Sequence, residues 1–460
     1  MPSHSQAVEA LLRRGPRTSA ALAAALGVSQ PTISRALADL GEAVVRIGRA
    51  RASRYALARE VGRNGSQWPL FRVNHKGQPD PLGRLHALHG CWLLESERSL
   101  PLYRHDEFAN GEYPDLPWFL YDLRPQGFLG RALARRHAME LGISENPEDW
   151  SADDVLIALL RRGDDLPGNL VLGESALEQA LVGTLFDDPD TLIAPAQRAR
   201  AYPERARQAE AGDAAGSSAG GEQPKFTAEL DVGNHARASV IVKFARHDPA
   251  NITARRWVNL LACEHLAGDV LAENGIEAAV SEVIDSDGWR FLQSTRFDRT
   301  PQRGRLGTVT LRALDTAYVG GDPNHWPASA IALQREGIVS AEDVNRVLRL
   351  HLFGRFIGNT DMHFGNLSFF TEPGELQVRL APAYDMLPMH YRPGAGGTVH
   401  ERPYDLPLPT GDMVSWRWAG YAALALWQRA QEDARIEPAF RAVAAGNAQR
   451  IARLLERFEG

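Results

Sequence analysis

The apolar positions between residues 344 and 380 change from helical spacing to two short extended runs. Residues 344–357 carry apolar side chains at helical spacing, which predicts a helix. Residues 367–370 and 376–380 predict two strands, joined by a turn at Pro373-Gly374. Because a hairpin returns its two ends to one place, we expect three polar residues at those ends to lie within a few ångströms of one another: Asp361, Asn366 and Asp385.

That group of side chains matches the needs of phosphoryl transfer. The reaction uses one carboxylate to orient the attacking hydroxyl, and a carboxylate with an amide oxygen to hold Mg²⁺ against the nucleotide phosphates. Asp361 and Asn366 have the Asp-to-Asn spacing of the protein-kinase catalytic loop, and Asp385 follows the next hairpin as the metal-binding Asp would. Alternatively, these residues cap turns, which is their common role; the three together favour the kinase interpretation.

The stretch before this segment predicts further parts of an ATP site. A Gly- and Ser-rich loop, residues 216–226, could let backbone amides approach phosphate oxygens, although such runs are often linkers. Residues 240–244 predict a strand whose Lys243 resembles the lysine of the V-A-I-K strand in kinases. A helix over 255–274 carries Glu264, the expected partner of that lysine; either residue alone could be a solvated charge.

The distribution of elements predicts an α+β, two-lobed protein-kinase-like body. Strands dominate the middle of the chain and helices dominate after residue 301, with the hairpin within the helical half. Residues 85–94 have a mixed pattern with helical character. We predict three domains: an N-terminal DNA-binding domain at 1–60, an N-terminal kinase lobe with the Gly-rich loop at 61–300, and a helical C-terminal kinase lobe at 301–460.

The first 60 residues predict a winged helix-turn-helix. Helical patterns over 6–13, 18–26 and 30–40 are separated by a glycine turn, with Ser29 as the expected cap of the third helix, and a basic hairpin follows at 44–57. Short polar groups on the third helix and arginines of the wing suit base edges and phosphates. The predicted DNA-binding residues are Gln30, Thr32, Ser34, Arg35, Arg49, Arg51 and Arg54. The alternative is a helical protein-interaction module with a solvated basic face.

Charge supports this division of the chain. The net charge is −6, but residues 1–60 hold nine arginines and four acids, so this part carries +5 and the remainder −11. Only two cysteines occur, Cys91 and Cys263, in no metal-binding spacing, which fits a reducing cytoplasm. No apolar run approaches the roughly 20 residues that span a membrane, and we expect a cytoplasmic protein without membrane contact.

The assembled motifs resemble the HipA family of toxin serine/threonine kinases. The matching elements, in order, are G-E-Q-P-K (221–225), V-K-F (242–244), A-C-E-H-L-A (262–267), R-F-D-R (296–299), G-N-T-D-M-H-F-G-N (358–366) and L-A-P-A-Y-D-M-L (380–387). A winged module fused in front of such a kinase resembles the YjjJ-type branch of the family. A HipA toxin typically works instead with a separate DNA-binding antitoxin.

The resemblance implies a role for each matching residue. Asp361 would orient the substrate hydroxyl and accept its proton, Asn366 and Asp385 would hold Mg²⁺, and Lys243, with Glu264, would contact ATP. In the Gly-rich loop, the backbone of Gly220 and Gly221 and the side chain of Lys225 would add contacts to the phosphates. Ser218 stands where family members carry an inhibitory autophosphorylation serine, and the adjacent Ser217 leaves that assignment open. The loop also carries an extra acid, Glu222.

Three functions compete on these grounds. The first is an ATP- and Mg²⁺-dependent protein kinase held on DNA, whose substrate class by resemblance includes aminoacyl-tRNA synthetases and whose partners would include DNA and an antitoxin. The second is a transcription regulator whose kinase-like body senses a nucleotide. The third is a small-molecule kinase, because sugar and antibiotic kinases use the same metal chemistry. The intact set of Asp361, Asn366, Asp385 and Lys243 favours an active enzyme.

Overall fold

The structure is a computed structural model that describes residues 3–48, 53–185, 192–211, 223–234, 236–322, 325–394, 396–399 and 401–458. Within these ranges the chain forms fourteen α-helices and fifteen strands, and the strands make four separate sheets. The strands pair almost entirely in antiparallel fashion, with β8 and β9 as a parallel pair, and helices pack beside the sheets, so the predicted α+β class is confirmed.

The bounds of the elements follow the chain. The helices are α1 His4–Leu12, α2 Ser19–Leu26, α3 Gln30–Leu40, α4 Trp118–Tyr121, α5 Gly127–Leu141, α6 Ala152–Arg162, α7 Glu174–Leu185, α8 Arg198–Glu210, α9 Ile252–Glu273, α10 Leu311–Tyr318, α11 Trp326–Arg335, α12 Ala341–Ile357, α13 Met413–Glu432 and α14 Pro438–Arg457. The strands are β1 Val44–Ile47, β2 Arg54–Leu57, β3 Gln67–Val73, β4 Pro79–Leu88, β5 Cys91–Glu95, β6 Glu112–Tyr113, β7 Leu170–Leu172, β8 Leu192–Ile193, β9 Lys225–Asp231, β10 Arg237–Arg246, β11 Ser281–Ser286, β12 Trp289–Thr295, β13 Gly307–Thr310, β14 Ser368–Thr371 and β15 Arg379–Leu380.

The N-terminal helices and hairpin form the predicted winged helix-turn-helix. The side chain of Thr18 accepts a hydrogen bond from the Ala21 backbone at the start of α2, as an N-cap does. Ser29 occupies the N-cap position of α3, but its side chain makes no capping bond, because its hydroxyl is paired with that of Thr32 at 2.9 Å. The expected capping role of Ser29 is therefore wrong in detail, although α3 begins where it was predicted.

A five-stranded antiparallel sheet, in the order β6-β5-β4-β3-β7, follows the wing. The helical character assigned to residues 85–94 is wrong, because β4 and β5 are paired there in a hairpin. These strands are buried on both faces, so apolar residues follow one another instead of alternating. Continuous apolar runs do not distinguish a buried strand from a buried helix, which explains the error.

A second five-stranded sheet, in the order β11-β12-β10-β9-β8, carries the predicted lysine strand. Strand β10 lies at the centre, paired with β9 and β12, and the long helix α9 packs against it. The range 61–300 thus holds two separate sheets, and the predicted division of the chain into three domains stays a prediction.

The predicted hairpin is present, and it belongs to a small three-stranded sheet. Strand β14 pairs with β15 through Phe369 and Leu380, and β13 lies on the other side of β14. Residues of helices α10 to α14, of this sheet and of the first five-stranded sheet belong to one continuous apolar core. None of the helices in the described ranges combines the length and apolarity needed to cross a bilayer.

Candidate active site

The loop that follows α12 is shaped by one glycine and one buried asparagine. Gly358 ends the helix in the left-handed region, with φ of 74°, and a Cβ there would meet the Tyr404 ring at 2.8 Å, so only glycine fits. Asn359 is 4% exposed; its side-chain oxygen accepts from the Asp361 backbone amide at 3.0 Å, and its amide donates to the Asp385 carbonyl at 3.2 Å. Asn359 therefore ties the two aspartates together.

Asn366 is oriented by the same loop. Its side-chain nitrogen donates to the carbonyl oxygen of Asp361 at 2.8 Å. This bond uses the donor end of the amide and leaves the oxygen end for other partners. Asp361 and Asn366, which are five residues apart in the sequence, are thus in direct contact. They are the positions predicted to orient the hydroxyl and to hold the metal.

Asp385 lies five residues after the end of β15, in the segment that leaves the sheet. It has a φ of 54°, an uncommon conformation for a residue with a side chain and one that is concentrated at functional sites. The neighbouring Tyr384 hydroxyl donates to the Gly365 carbonyl at 2.9 Å and pairs with the Ser368 hydroxyl at 2.8 Å. Tyr384 thereby pins the exit of the hairpin to the loop at its entry, as the predicted geometry requires.

Lys243 lies between two carboxylates. Its ammonium donates to Glu264 at 2.6 Å and also to Asp385. Burial alone would lower the pKa of Lys243, but the carboxylates of Asp385 and Glu264 reverse this effect and raise the pKa above its ordinary value. Lys243, Glu264 and Asp385 are thus brought together from a strand, a helix and the hairpin exit, and the expected contact between Lys243 and Glu264 is present.

Lys225 adds a second positive charge to this site. It lies directly opposite Lys243 on the neighbouring strand β9, and it is 2% exposed. Burial raises the pKa of Asp385, but Lys243 and then Lys225 outweigh that effect, so the pKa of Asp385 is lowered. By contrast, burial raises the pKa of Glu264. Two lysines and one ionised aspartate therefore meet at the place predicted for the phosphates.

His363 is a site residue that the sequence did not single out. Its Nδ1 accepts from the Gly365 amide at 3.0 Å and lies 3.2 Å from the Arg312 guanidinium. Burial and then Arg312 lower the pKa of His363, so the neutral ring is favoured. Its position inside the 358–366 motif was the available signal, and Asn359 carried the same signal.

The donors that face the site fit a magnesium ion. Asp385 and Asn366 offer a carboxylate and an amide oxygen, the hard ligands that Mg²⁺ prefers. No cluster of three or more His, Cys, Asp or Glu residues suited to a metal occurs among the described residues. A Mg²⁺ ion is usually held by one or two carboxylates together with substrate phosphates instead of a full protein cage.

Comparison with known proteins agrees with this geometry. The model of the HipA-like C-terminal domain matches residues 217–456, and that of the YjjJ-like toxin middle domain matches 64–181. Toxin YjjJ of Escherichia coli strain K12 is 35% identical over 451 residues, which cover 97% of either chain. The chain belongs to the HipA-like toxin family, in the YjjJ branch. HipA of Shewanella oneidensis MR-1, solved with HipB and its operator DNA, superposes with a TM-score of 0.51 at 16% identity, over 84% of this chain and 97% of that one.

In this HipA-like protein the N-terminal domain also matches a known type. The model of the arsR family of bacterial regulatory proteins covers residues 2–43. On α3, the side chains of Gln30, Ser34 and Arg35 are exposed and Thr32 is half-buried. These residues form one accessible polar surface, as the sequence predicted.

The wing differs from the prediction at Arg54. Its guanidinium is paired with Glu112 of β6, so this arginine faces the body of the protein. The wing strands share a small apolar core with β4 and β5, through Ile47, Ala56 and Leu93. Arg54 is therefore poorly placed for DNA. Three more pairs of predicted site residues lie outside the described residues: Arg49 and Arg51 of the wing, Gly220 and Gly221, and the candidate serines Ser217 and Ser218.

Proposed function

We propose that this HipA-like protein is an ATP- and Mg²⁺-dependent serine/threonine protein kinase. The observation that carries the proposal is the convergence of Lys243, Glu264 and Asp385, with Asn359 tying Asp385 to Asp361. A strand, a helix and the end of a hairpin can pack together without bringing three charged side chains into contact. Phosphoryl transfer, in contrast, requires such a contact. The family membership supports the same chemistry.

Each residue has a distinct task in the proposed reaction. Bound ATP would supply the phosphoryl group that is transferred, and Mg²⁺ would supply positive charge against its negative oxygens. Asp361 would accept the proton of the attacking hydroxyl, and its side chain is free to do so because its backbone, not its carboxylate, holds the loop in place. Asn366 and Asp385 would hold the metal, and Lys243 and Lys225 would contact phosphate oxygens.

The contact between Lys243 and Asp385 gives this proposal a testable feature. The Lys243 ammonium occupies the Asp385 carboxylate that is proposed to bind Mg²⁺. Lys243 and Mg²⁺ would therefore compete for Asp385. Nucleotide phosphates would attract the lysine away from Asp385, because they offer more negative charge than one carboxylate. We therefore expect Mg²⁺ to bind much more tightly with nucleotide than without it. Calorimetric titration with Mg²⁺, with and without a non-hydrolysable ATP analogue, measures this difference.

The decisive experiment removes the proposed base. Asp361→Asn should lower transfer of labelled phosphate from ATP, to the protein itself or to a protein in cell extract, by about 10²-fold or more. ATP binding should persist, because the loop contacts of Asp361 are made by its backbone. Glu375→Gln, in the exposed turn of the same hairpin, is the matched control and should keep full activity. Equal transfer by Asp361→Asn and wild type would refute the assignment.

We also propose that the protein binds DNA through residues 1–60, with α3 as the recognition helix. The arsR-type match and the exposed polar face of α3 support this assignment. Arg35→Gln should weaken binding and reduce the slope of its salt dependence by about one. Arg54→Gln should change both much less, because Arg54 is paired with Glu112. Equal losses in the two variants would mean that the wing leaves the body on binding DNA.

Partners and compartment are part of the same proposal. The Shewanella relative was solved as a toxin–antitoxin complex with HipB and operator DNA, so an antitoxin is a proposed partner here, and an aminoacyl-tRNA synthetase is a proposed protein substrate. A DNA-binding domain and two buried, free cysteines support a cytoplasmic site of action. If no transfer occurs but nucleotide alters DNA binding, the alternative of a nucleotide-sensing regulator is favoured.

A further inference from the structure

The loop between α12 and β14, residues 358–366, has a second neighbour that the proposed ATP site does not use. This neighbour is the start of helix α10, whose Leu311 amide donates to the Leu367 carbonyl, directly after the loop, at 2.8 Å. The helix carries Arg312 in its first turn. Arg312 therefore lies beside the loop without belonging to the cluster of charges that would bind nucleotide.

The guanidinium of Arg312 is held by two neutral groups from separate segments. Its Nη1 donates to the side-chain oxygen of Gln126, just before α5, at 2.9 Å, and its Nη2 donates to Nδ1 of His363 at 3.2 Å. Gly365 makes room for this contact, because a Cβ there would fall 2.7 Å from Nη2. These bonds fix the orientation of the guanidinium and leave its charge unbalanced.

Arg312 also lacks a carboxylate partner of its own. Among the residues that the structure describes, no acid forms an ion pair with it, and its side chain is exposed. Asp122 is near enough for an electrostatic interaction, but both of its oxygens accept hydrogen bonds from Thr310. Burial raises the pKa of Asp122 in spite of those bonds and of Arg312, which favours the neutral carboxyl.

The place of Arg312 in its helix is unfavourable for the helix itself. Arg312 is the second residue of α10, and the first turn contains no acid. The free N–H groups at a helix N-terminus carry partial positive charge, so acids stabilise this turn and bases destabilise it. Proteins keep residues that cost stability where function needs them. The first turn and Arg312 together make a positive region beside the loop.

This positive region lies close to the proposed base. His363, which Arg312 contacts, follows Asp361 by two residues. Burial and then Arg312 lower the pKa of His363, while Asp361 and Asp385 oppose them, so all these charges lie around one ring. An extended peptide advances about 3.3 Å per residue. If its hydroxyl reaches Asp361, a side chain one or two residues away is within reach of Arg312.

We propose that Arg312 is a specificity-determining residue that binds a carboxylate of the protein substrate, one or two residues from the acceptor hydroxyl. The inference rests on the proposed kinase function and adds a substrate class to it, a serine or threonine flanked by Asp or Glu. A guanidinium of fixed orientation suits a carboxylate, because its remaining N–H groups can form charge-assisted hydrogen bonds with the two oxygens.

The test measures phosphate transfer from ATP to peptides with one central serine, in which each flanking position carries Asp, Ala or Lys in turn. Wild type should prefer Asp to Ala at one or two positions near the serine, by about fivefold or more in kcat/KM. The preference should appear mainly in KM, because Arg312 would bind the peptide before and during transfer alike.

Two variants of Arg312 then change this preference in a defined order. Arg312→Gln should bring the ratio of Asp to Ala peptides to within about twofold of unity, and Arg312→Glu should prefer Lys to Asp at the same position. Both variants remove a base from the first turn of α10, so we expect both to fold. A ratio is used because a general loss of activity cancels from it.

Arg335→Glu is the matched control, because it reverses the charge of an exposed arginine on the neighbouring helix α11. Arg335 lies about 13 Å along that helix from Trp326, whose indole donates to the His363 carbonyl at 3.1 Å. This variant should keep the preference of wild type.

The outcomes separate this inference from the proposed kinase function. If Arg312 only supports the loop, its variants will lower transfer to all peptides equally and leave the ratio unchanged, which would overturn the inference. A wild type that does not distinguish Asp from Ala would overturn it too, as would one that labels proteins in cell extract but no peptide. In each of these cases the kinase function stands. Absence of transfer to peptides, to extract and to the protein itself would overturn both.

Discussion

Two buried charge networks in this protein are built on different principles. The first, the cleft network, consists of Lys243, Glu264 and Asp385. The second, the arginine network, consists of Arg296, Arg299, Asp165 and Asp298. They are close neighbours in the fold, because Phe297, next to Arg296 in the chain, packs on Tyr384, next to Asp385, with ring centroids 5.8 Å apart. They differ in how completely their charged groups are hydrogen-bonded.

The arginine network is nearly saturated. Arg296 binds both oxygens of Asp298, at 3.1 and 3.0 Å. Arg299 donates to the carboxylates of Asp298 and Asp165 and to three backbone carbonyls. The Gly168 amide also donates to Asp298 at 2.8 Å. Burial opposes ionisation of Asp298, but the two arginines outweigh it, and the pKa of Asp298 is lowered. Planar, fully bonded pairs of this kind hold segments in place.

The cleft network is unsaturated and uses lysine. One oxygen of Glu264, Oε2, is buried without a partner, and the Asp385 side chain remains 21% exposed. A lysine ammonium is a single point of charge that can change partners, whereas a guanidinium fork fixes its geometry. Both networks are buried and charged. The candidate site differs from the arginine network mainly because its hydrogen bonding is incomplete.

The largest expected effect is the loss of Asp298. In Asp298→Asn, Arg296 and Arg299 would lose the buried carboxylate that they share, so the free energy of unfolding should fall by about 3–5 kcal/mol. Urea denaturation monitored by circular dichroism measures this change. Glu375→Gln removes an exposed carboxylate and serves as the control. A loss below about 1 kcal/mol would show that the arginine network does not stabilise the fold.

The matched substitution in the cleft network should affect activity instead. Asp385→Asn leaves Lys243 paired with Glu264 at 2.6 Å, so unfolding free energy should change by less than about 1 kcal/mol. Phosphate transfer should fall by about 10²–10³-fold, because the proposed metal ligand loses its charge. The same urea and transfer assays apply. If Asp385→Asn were as unstable as Asp298→Asn, the distinction between the two networks would be lost.

A smaller effect should appear in the pH dependence of stability. The folded-state pKa of Glu264 is raised, so the folded protein holds its proton more tightly than the unfolded chain does. Stability from this group is therefore present at low pH and decreases as pH rises from about 4.3 through the folded pKa. Glu264→Gln should remove that decrease, so its stability relative to wild type should grow as the pH rises above about 4.3. A difference that is flat or shrinks with pH would contradict this prediction.

The sequence predicted the parts that depend on local order along the chain. The hairpin of β14 and β15, the winged N-terminal domain and the helices from α10 to α14 were all expected, because apolar spacing and turn residues are visible locally. The contact between Lys243 and Glu264 was also expected, from the order of a strand and a helix in a known motif.

The rest depended on contacts between distant segments. Nothing near Arg54 indicates Glu112, which is 58 residues away, and nothing near Lys243 indicates that Asp385 would hold it, 142 residues away. Long-range pairing of this kind is determined by packing of the whole core, which a local pattern does not encode.

The smallest expected effect concerns an ion pair outside both networks. Its loss of unfolding free energy is the value against which the losses in the two networks can be compared. Arg59 donates two hydrogen bonds to Asp153, at 2.6 and 2.9 Å, and so connects the segment after the wing to α6. Their side chains are 28% and 36% exposed, so solvent and salt screen the attraction. Arg59→Gln should lower unfolding free energy by less than about 1 kcal/mol, and 0.5 M salt should reduce that difference. Because the bidentate geometry resembles that of Arg296 with Asp298, a loss as large as that of Asp298→Asn would mean that geometry, and not burial, makes the arginine network strong.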